Sequence, residues 1–303
     1  MRVLVTVASG FIGRCLVQRL VAEGYEVVLL FEGPADVKPA IPKQLAEYNP
    51  QIQTFSGDLR DRALVADLVQ DSRPDSAIHL AAVGVTDPFL DYETAIEHNV
   101  LGTVNLAQAL FDAENGLNRA RQLVVARTPG EDSNMNVYSA SKAASWSFCT
   151  MFARTKRWPI SGAVIYQAYG PDQPAHTIVP AAMRAALAGK DFKMTSGSQI
   201  RDWIYIDDVA QGLVAALDSD LSPGKSFDLG TGQATAISDL VQMIYRLVNR
   251  GGRALVGALR DRPGEAQIQV ADAARSEKLL GWRSTTSIIE GLTKVMDSLD
   301  SPD

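Results

Sequence analysis

The feature that most constrains this chain is an alternation. Short apolar runs at 3–5, 27–31, 53–55, 77–80, 123–126 and 163–166 are separated by stretches of helical length and apolar spacing at 11–23, 61–70, 94–112 and 139–154. Runs that short and that apolar read as strands buried on both faces. Alternation with helices makes them parallel, because each crossover helix returns the chain to the same edge of the sheet. The first half is therefore expected to be a doubly wound parallel α/β sheet of Rossmann type. After Tyr169-Gly170-Pro171 the texture changes to short strands, Pro and Gly turns and isolated helices at 179–188, 237–248 and 272–280. That part reads as a smaller C-terminal α/β lobe.

Composition excludes several classes. With 303 residues, 46% hydrophobic, the chain is long enough for a full core and a second lobe. A net charge of -6 argues against a nucleic-acid partner, which needs clustered Lys and Arg. The two cysteines, Cys15 and Cys149, have no metal-ligand spacing, so no metal is expected and both read as reduced, buried thiols. The chain enters an apolar strand at Val3, Leu4 and Val5, and no apolar stretch is long enough to span a bilayer. The expectation is a cytoplasmic protein without a membrane partner.

The first strand runs into Gly10-Phe11-Ile12-Gly13, where Gly10 lets backbone approach a pyrophosphate and Gly13 lets a helix pack closely on the strand. The helix N-terminus then faces the phosphates. Gly57-Asp58-Leu59 follows the third strand and offers a carboxylate near the adenine end; Asp58 could equally cap the helix that starts near Asp61. At the end of the second strand, where an acid usually receives the ribose hydroxyls, stand Phe31 and then Glu32. Glu32 repels a 2′-phosphate, which favours NAD and does not exclude NADP. On this reading 1–170 is a dinucleotide-binding domain that also receives about 203–222, and 171–303 is mainly a substrate-binding lobe.

Tyr138 and Lys142 are four residues apart, hence on one face of a helix. An ammonium beside a phenol is expected to lower the phenol's pKa and let it exchange protons near neutral pH. Thr128, at the end of the fifth strand, is either a hydroxyl donor to substrate or a turn residue before Pro129. Both readings stay open.

Together with His79-Leu80-Ala81-Ala82, Asn99-Val100-Leu101-Gly102-Thr103, the run Arg201-Asp202-Trp203 through Ala210, and Arg262-Pro263-Gly264, these segments resemble the extended short-chain dehydrogenase/reductases of the nucleotide-sugar epimerase/dehydratase kind, nearly end to end. The resemblance implies that Tyr138, Lys142 and Thr128 are catalytic. It implies that Ala81 and Ala82 border the nicotinamide ribose and that Asn99 supports the Tyr–Lys helix. Arg201 and Arg262 are implied to reach a substrate diphosphate, with Gln167 nearby. His79 reads as a packing residue and Asp207 and Asp208 as helix caps. A homodimer is expected through the helices at 100–111 and 140–152, because Trp146, Phe148, Met151 and Phe152 cannot all face one core.

Four departures bear on activity. Val7 stands for the family's first glycine, Phe31 for its ribose-binding acid, Gln167 for an Asn, and the segment from Thr128 to Tyr138 is short, with Arg127 in its Ser/Thr-rich part. A β-branched residue is disfavoured at positive φ, so either the turn differs or Val7 is extended, and the pyrophosphate is held less closely. A dehydratase wants an Asp-Glu pair directly after the Thr, where Pro129 and Gly130 stand. The leading function is an NAD(P)-dependent nucleotide-sugar epimerase. The alternatives are a ketoreductase of a keto-sugar nucleotide, or an impaired dinucleotide-binding protein of the same fold.

Overall fold

All six apolar runs of the first half fall on strands, and the inner ones are buried from both sides: Val3, Leu4 and Val5 have no exposed surface, nor do Leu123 and Val124, whereas the run at 53–55 is on the partly exposed edge strand. The computed structural model describes residues 1–303 apart from 35, 36, 38, 88, 113–119, 262–265 and 301–303. Strands β1 (Arg2–Thr6), β2 (Glu26–Phe31), β3 (Ile52–Ser56), β4 (Ser76–His79), β5 (Gln122–Arg127) and β6 (Ile160–Ile165) run parallel. Helices α1 (Phe11–Ala22) and α2 (Arg62–Ser72) are crossovers, and α5 (Val137–Lys156) follows β5. The chain winds outward through β2 and β3, then restarts at β4 on the other side of β1. That switch point opens a crevice at the carboxyl ends of β1 and β4.

The expected helix at 94–112 is real but not uniform. It comprises α3 (Tyr92–Ala95), a π-helical turn (Ile96–Leu101) and α4 (Gly102–Phe111). The wider turn buries Asn99 and Val100 while Ile96 and Leu101 stay exposed. Such bulges are frequent at functional sites, because they re-aim one side chain without ending the helix.

Beyond β6 come β7 (Gln167–Tyr169), α6 (Ile178–Leu187), β8 (Phe192–Lys193), β9 (Ile200–Arg201), β10 (Trp203–Tyr205), α7 (Ile206–Leu217), β11 (Ser226–Leu229), β12 (Thr235–Ala236), α8 (Ile237–Val248), β13 (Ala254–Leu255), β14 (Ile268–Gln269), α9 (Ala273–Leu280) and α10 (Ile288–Asp300). β11 completes a seven-stranded sheet beside β6. Two compact units divide the chain: Met1–Val164 with Ala210–Phe227 and Leu279–Gly281, and Ile165–Val209 with Asp228–Lys278 and Trp282–Asp303. In the second, α6, α8 and α10 pack together beside small sheets of two and three strands.

Two expectations are corrected here, and the four large residues of α5 do not all face one core, as expected. Asp207 and Asp208 do not cap a helix beginning at 209, because α7 already starts at Ile206; the Asp208 carboxylate instead accepts from the backbone N–H groups of Thr285 and Thr286 and from the Thr285 hydroxyl. Of the four large residues on α5, Phe152 is buried and Trp146 and Met151 lean on the same core, so only Phe148 stands exposed. Val7 neither leaves the turn nor sits extended: its φ is +57°.

The glycine turn is thus retained with a valine in it. Val7 N–H donates to the Leu30 carbonyl and its own carbonyl accepts from Gly10 N–H, which closes the turn. Gly13 is obligatory, since a Cβ there would lie 2.4 Å from the Val7 oxygen. A left-handed conformation costs an L-residue about 1–2 kcal/mol. The half-exposed Val7 side chain recovers little of that by packing. Val7→Gly is therefore expected to raise the unfolding free energy by about 1 kcal/mol in urea titration; a loss of stability would show that the valine side chain, not the turn, dominates.

Candidate active site

At the switch point one hydroxyl ties two strands together. Thr6, the last residue of β1, accepts through Oγ1 from the N–H groups of Leu80 and Ala81, both at 3.0 Å, just past β4. Its own proton is then directed to His79 Nδ1, 3.0 Å away, and His79 Nε2 lies 2.9 Å from Thr103 Oγ1. Thr103 donates to the Asn99 carbonyl at 2.7 Å, which fixes the direction of the relay and leaves the proton of a neutral His79 on Nε2. Complete burial, with the Lys142 charge adding to it, pushes the imidazole down to about 3. His79 is the packing residue expected, and a buried hydrogen-bond node as well.

The π turn aims Asn99 at the next junction. Its Oδ1 accepts from Val83 N–H at 2.8 Å, and its Nδ2 donates to the Val83 carbonyl and to Ser141 Oγ. Ser141 donates in turn to the Tyr138 carbonyl at 2.8 Å. The relay therefore joins the crevice to the first turn of α5, which Asn136 caps by accepting from Ser139 N–H. Neither Thr6, Thr103 nor Ser141 was legible as a site residue, since their partners lie far off in sequence.

Tyr138 and Lys142 share that helix, but the expected coupling is corrected. Burial first, then the Glu131 carboxylate, push the Tyr138 phenol up rather than down. Lys142 is buried, its Nζ has no hydrogen-bond partner, and burial pushes the ammonium down. A buried ammonium donates three hydrogen bonds when satisfied, so this orphan calls for oxygen acceptors from outside the chain.

Along the crevice a cleft of about 550 Å³, open to solvent, is lined by Glu32, Asp58, Leu59, Ala81, Ala82 and, unforeseen, His98. Phe31 does not line it and is buried in the core. Glu32 Oε1 faces His98 Nδ1 at 3.9 Å. Asp58 is not the helix cap, for Asp61 accepts from Ala63 and Leu64 N–H. Both Asp58 oxygens instead accept from the Arg60 guanidinium, which holds the carboxyl below the usual range. Gly10, Phe11, Ile12 and Gly13 form the start of α1, whose first turn has neither a side-chain cap nor an acidic residue. Its backbone N–H groups suit an anion.

Thr128 caps a 3₁₀ turn (Pro129–Asp132), accepting from Gly130 N–H. That is the turn role, and it leaves the hydroxyl proton free to donate. Gln167 and Arg201 belong to the second unit: Gln167 N–H donates to the Asp202 carbonyl, and the buried Arg201 donates to the Ile200 carbonyl. Arg262 lies outside the described residues. Among the described residues no group of three or more His, Cys, Asp or Glu could hold a metal, and no helix is long and apolar enough to cross a membrane.

Comparison with known proteins matches residues 3–230 to the model of the NAD dependent epimerase/dehydratase family. A UDP-glucose 4-epimerase of Mycolicibacterium smegmatis is 30% identical, with 98% of each chain covered. A dTDP-glucose 4,6-dehydratase of Xanthomonas campestris is 27% identical, covering 97% of this chain and 92% of that protein. The structure of a Thermus thermophilus UDP-glucose 4-epimerase in complex with NAD superposes with a TM-score of 0.80 at 26% identity, over 98% of each chain.

The neutral His79 makes stability depend on pH with a definite sign. The unfolded imidazole takes a proton near 6.5, the folded one only near 3, so the contribution is complete above 6.5 and is lost as pH falls between those values. The unfolding free energy should drop by about 1.4 kcal/mol per pH unit through His79 alone between roughly pH 6 and 4. Urea titrations of His79→Gln should show that part of the slope gone; an unchanged slope would mean that His79 is already protonated in the folded protein.

Proposed function

The chain belongs to the NAD-dependent epimerase/dehydratase family, and on that premise we propose that it is a nucleotide-sugar 4-epimerase with Tyr138 as its acid/base. The observation that carries the reading is the buried, partnerless Lys142 ammonium one turn beyond Tyr138. The residues present fit a dinucleotide: ribose hydroxyls are acceptors of the kind Lys142 lacks, the start of α1 at Gly10–Gly13 suits a pyrophosphate, and the cleft between Glu32, Asp58, Leu59, Ala81 and Ala82 suits adenosine. Glu32 on the cleft wall, with Arg60 already engaged by Asp58 and Glu97, favours NAD over NADP.

Bound NAD supplies a hydride acceptor and, later in the same cycle, the hydride donor. In this reading Tyr138 Oη takes the proton of the sugar hydroxyl and returns it after the keto sugar has presented its other face. Thr128 donates to the reacting oxygen, and Asn99 holds α5 in register with the cleft. Arg201 and Arg262 are assigned to the nucleotide diphosphate, whose oxygens match a guanidinium fork, and Gln167 to a place near the substrate. The first unit is then the dinucleotide domain and the second the substrate lobe. Dehydration is disfavoured because Glu131, the nearest acid after Thr128, is buried in an ion pair with Arg127. A cytoplasmic homodimer belongs to the same reading, supported by exposed Ile96, Leu101 and Phe148 on the π turn and α5.

The purified protein, a dimer in light scattering, should convert UDP-glucose to its 4-epimer with catalytic NAD and no net change in nicotinamide absorbance. Tyr138→Phe should lower turnover by about 10²–10⁴-fold while calorimetry finds NAD affinity within about threefold of wild type. Turnover that survives Tyr138→Phe overturns the assignment. Stoichiometric consumption of reduced cofactor identifies a ketoreductase, and binding without turnover of any nucleotide sugar identifies an impaired protein.

A further inference from the structure

A second buried charged group stands beside the acid/base pair, and the chemistry above does not use it. Arg127, at the end of β5, donates through Nε and Nη2 to Glu131 Oε2 at 2.9 and 2.6 Å. The other Glu131 oxygen accepts from Thr128 N–H at 3.1 Å. Arg127 Nη1 donates to Ser226 Oγ of β11 at 2.7 Å, and the guanidinium lies 4.5 Å from the centre of the Trp146 ring on α5. The space is made by Gly162 on β6, where a Cβ would come within 2.6 Å of Arg127 Cδ, 2.8 Å of Ser226 Oγ and 2.9 Å of the Trp146 ring. The side chains are 15% and 2% exposed, so each charge depends on the other.

The pair fastens a short strap. Residues 128–136 are all that connects β5 to α5, and the 3₁₀ turn within them leans on the first turn of the helix: a Cβ on Gly130 would lie 2.6 Å from Ser139 Oγ. The strap therefore reaches the turn that carries Tyr138, and its charge reaches the same place.

We propose that the Arg127–Glu131 pair is a positioning element of the acid/base site, in which Glu131 fastens the strap that leans on α5 and Arg127 offsets the charge that Glu131 places beside Tyr138. The proposal rests on Tyr138 being the acid/base. The charged and titratable groups that bear on Tyr138 and Lys142 are Glu131 on the strap, Arg127 on β5, His79 on β4, and Lys142 and Cys149 on α5 itself. The Glu131 carboxylate works against the phenolate and in favour of the Lys142 ammonium, and Arg127 works against that ammonium. His79 is neutral, and burial keeps the Cys149 thiol protonated by pushing it up to about 12.

A purely structural role predicts that loss of either partner impairs the enzyme in the same way. Charge compensation predicts opposite effects. In the NAD-bound protein, the ionisation midpoint of Tyr138 is read from tyrosinate absorbance, as the difference between each variant and the same variant carrying Tyr138→Phe; the pH profile of kcat is measured alongside. Glu131→Gln should move the midpoint to lower pH by about one unit and Arg127→Gln to higher pH by a similar amount. The double variant, a neutral hydrogen-bonded pair, should return to within about 0.3 units of wild type. If a single variant fails to fold by circular dichroism, the double variant decides, and a midpoint displaced by a full unit there overturns the proposal. Folded single variants that shift the same way, or not at all, overturn it too. Should Tyr138→Phe itself remain active, the acid/base reading is what fails, and the absorbance titration still tests whether this pair sets the ionisation of Tyr138.

Discussion

The site depends on one buried hydrogen-bond relay. It begins where Thr6 gathers the N–H groups of Leu80 and Ala81, passes through His79 and Thr103 to Asn99, and ends with Ser141 on the carbonyl of Tyr138. At a switch point two neighbouring strands leave the sheet in opposite directions, and their last backbone groups lose the ladder that satisfied them. Here side chains take over that duty. A buried, satisfied polar network is rigid, because breaking any member leaves a desolvated group without a partner. The same bonds that close the sheet edge therefore fix where α5 begins.

Around this rigid part the chain keeps three locally unfavourable features, and all three lie at the crevice. Val7 is held at positive φ, the helix before α4 widens into a π turn, and Lys142 is buried without a partner. Each costs stability in the folded chain. Each is also what the proposed chemistry needs: a tight turn beneath a pyrophosphate, an amide re-aimed to join β4 with α5, and an ammonium with free donors. Positive φ at non-glycine residues recurs elsewhere, as at Arg73 and Asn249, but at the crevice it coincides with a π turn and a buried, partnerless ammonium, and that combination is the pattern of a functional site.

Much of this was legible in the residues. Strand positions followed from apolar run length, the turn from Gly10 and Gly13, and the shared helix face from the spacing of Tyr138 and Lys142. What escaped depends on long-range partners. Thr6 and His79 meet across 73 residues, and nothing local marks either as half of a pair. The rise of the Tyr138 pKa also escaped, since residue spacing shows the ammonium but not the burial that outweighs it. The Val7 turn was misjudged for the opposite reason: a local rule about β-branched residues was sound, and the surrounding contacts overrode it. One signal was present and unused, because Thr128-Pro129-Gly130-Glu131 is a capping-box sequence with proline at the first helical position. It already ties Glu131 back to Thr128.

The central claim is that Lys142 is held buried and partnerless to receive a dinucleotide. Lys142→Met, which keeps the length of the side chain and removes its charge, tests it most directly when urea unfolding and NAD calorimetry are measured on the same preparation. The account predicts that the variant is more stable than wild type, because an uncompensated buried charge is gone, and binds NAD about tenfold or more weakly, because the ribose loses its donor. An unchanged NAD affinity in a folded Lys142→Met protein would contradict the account.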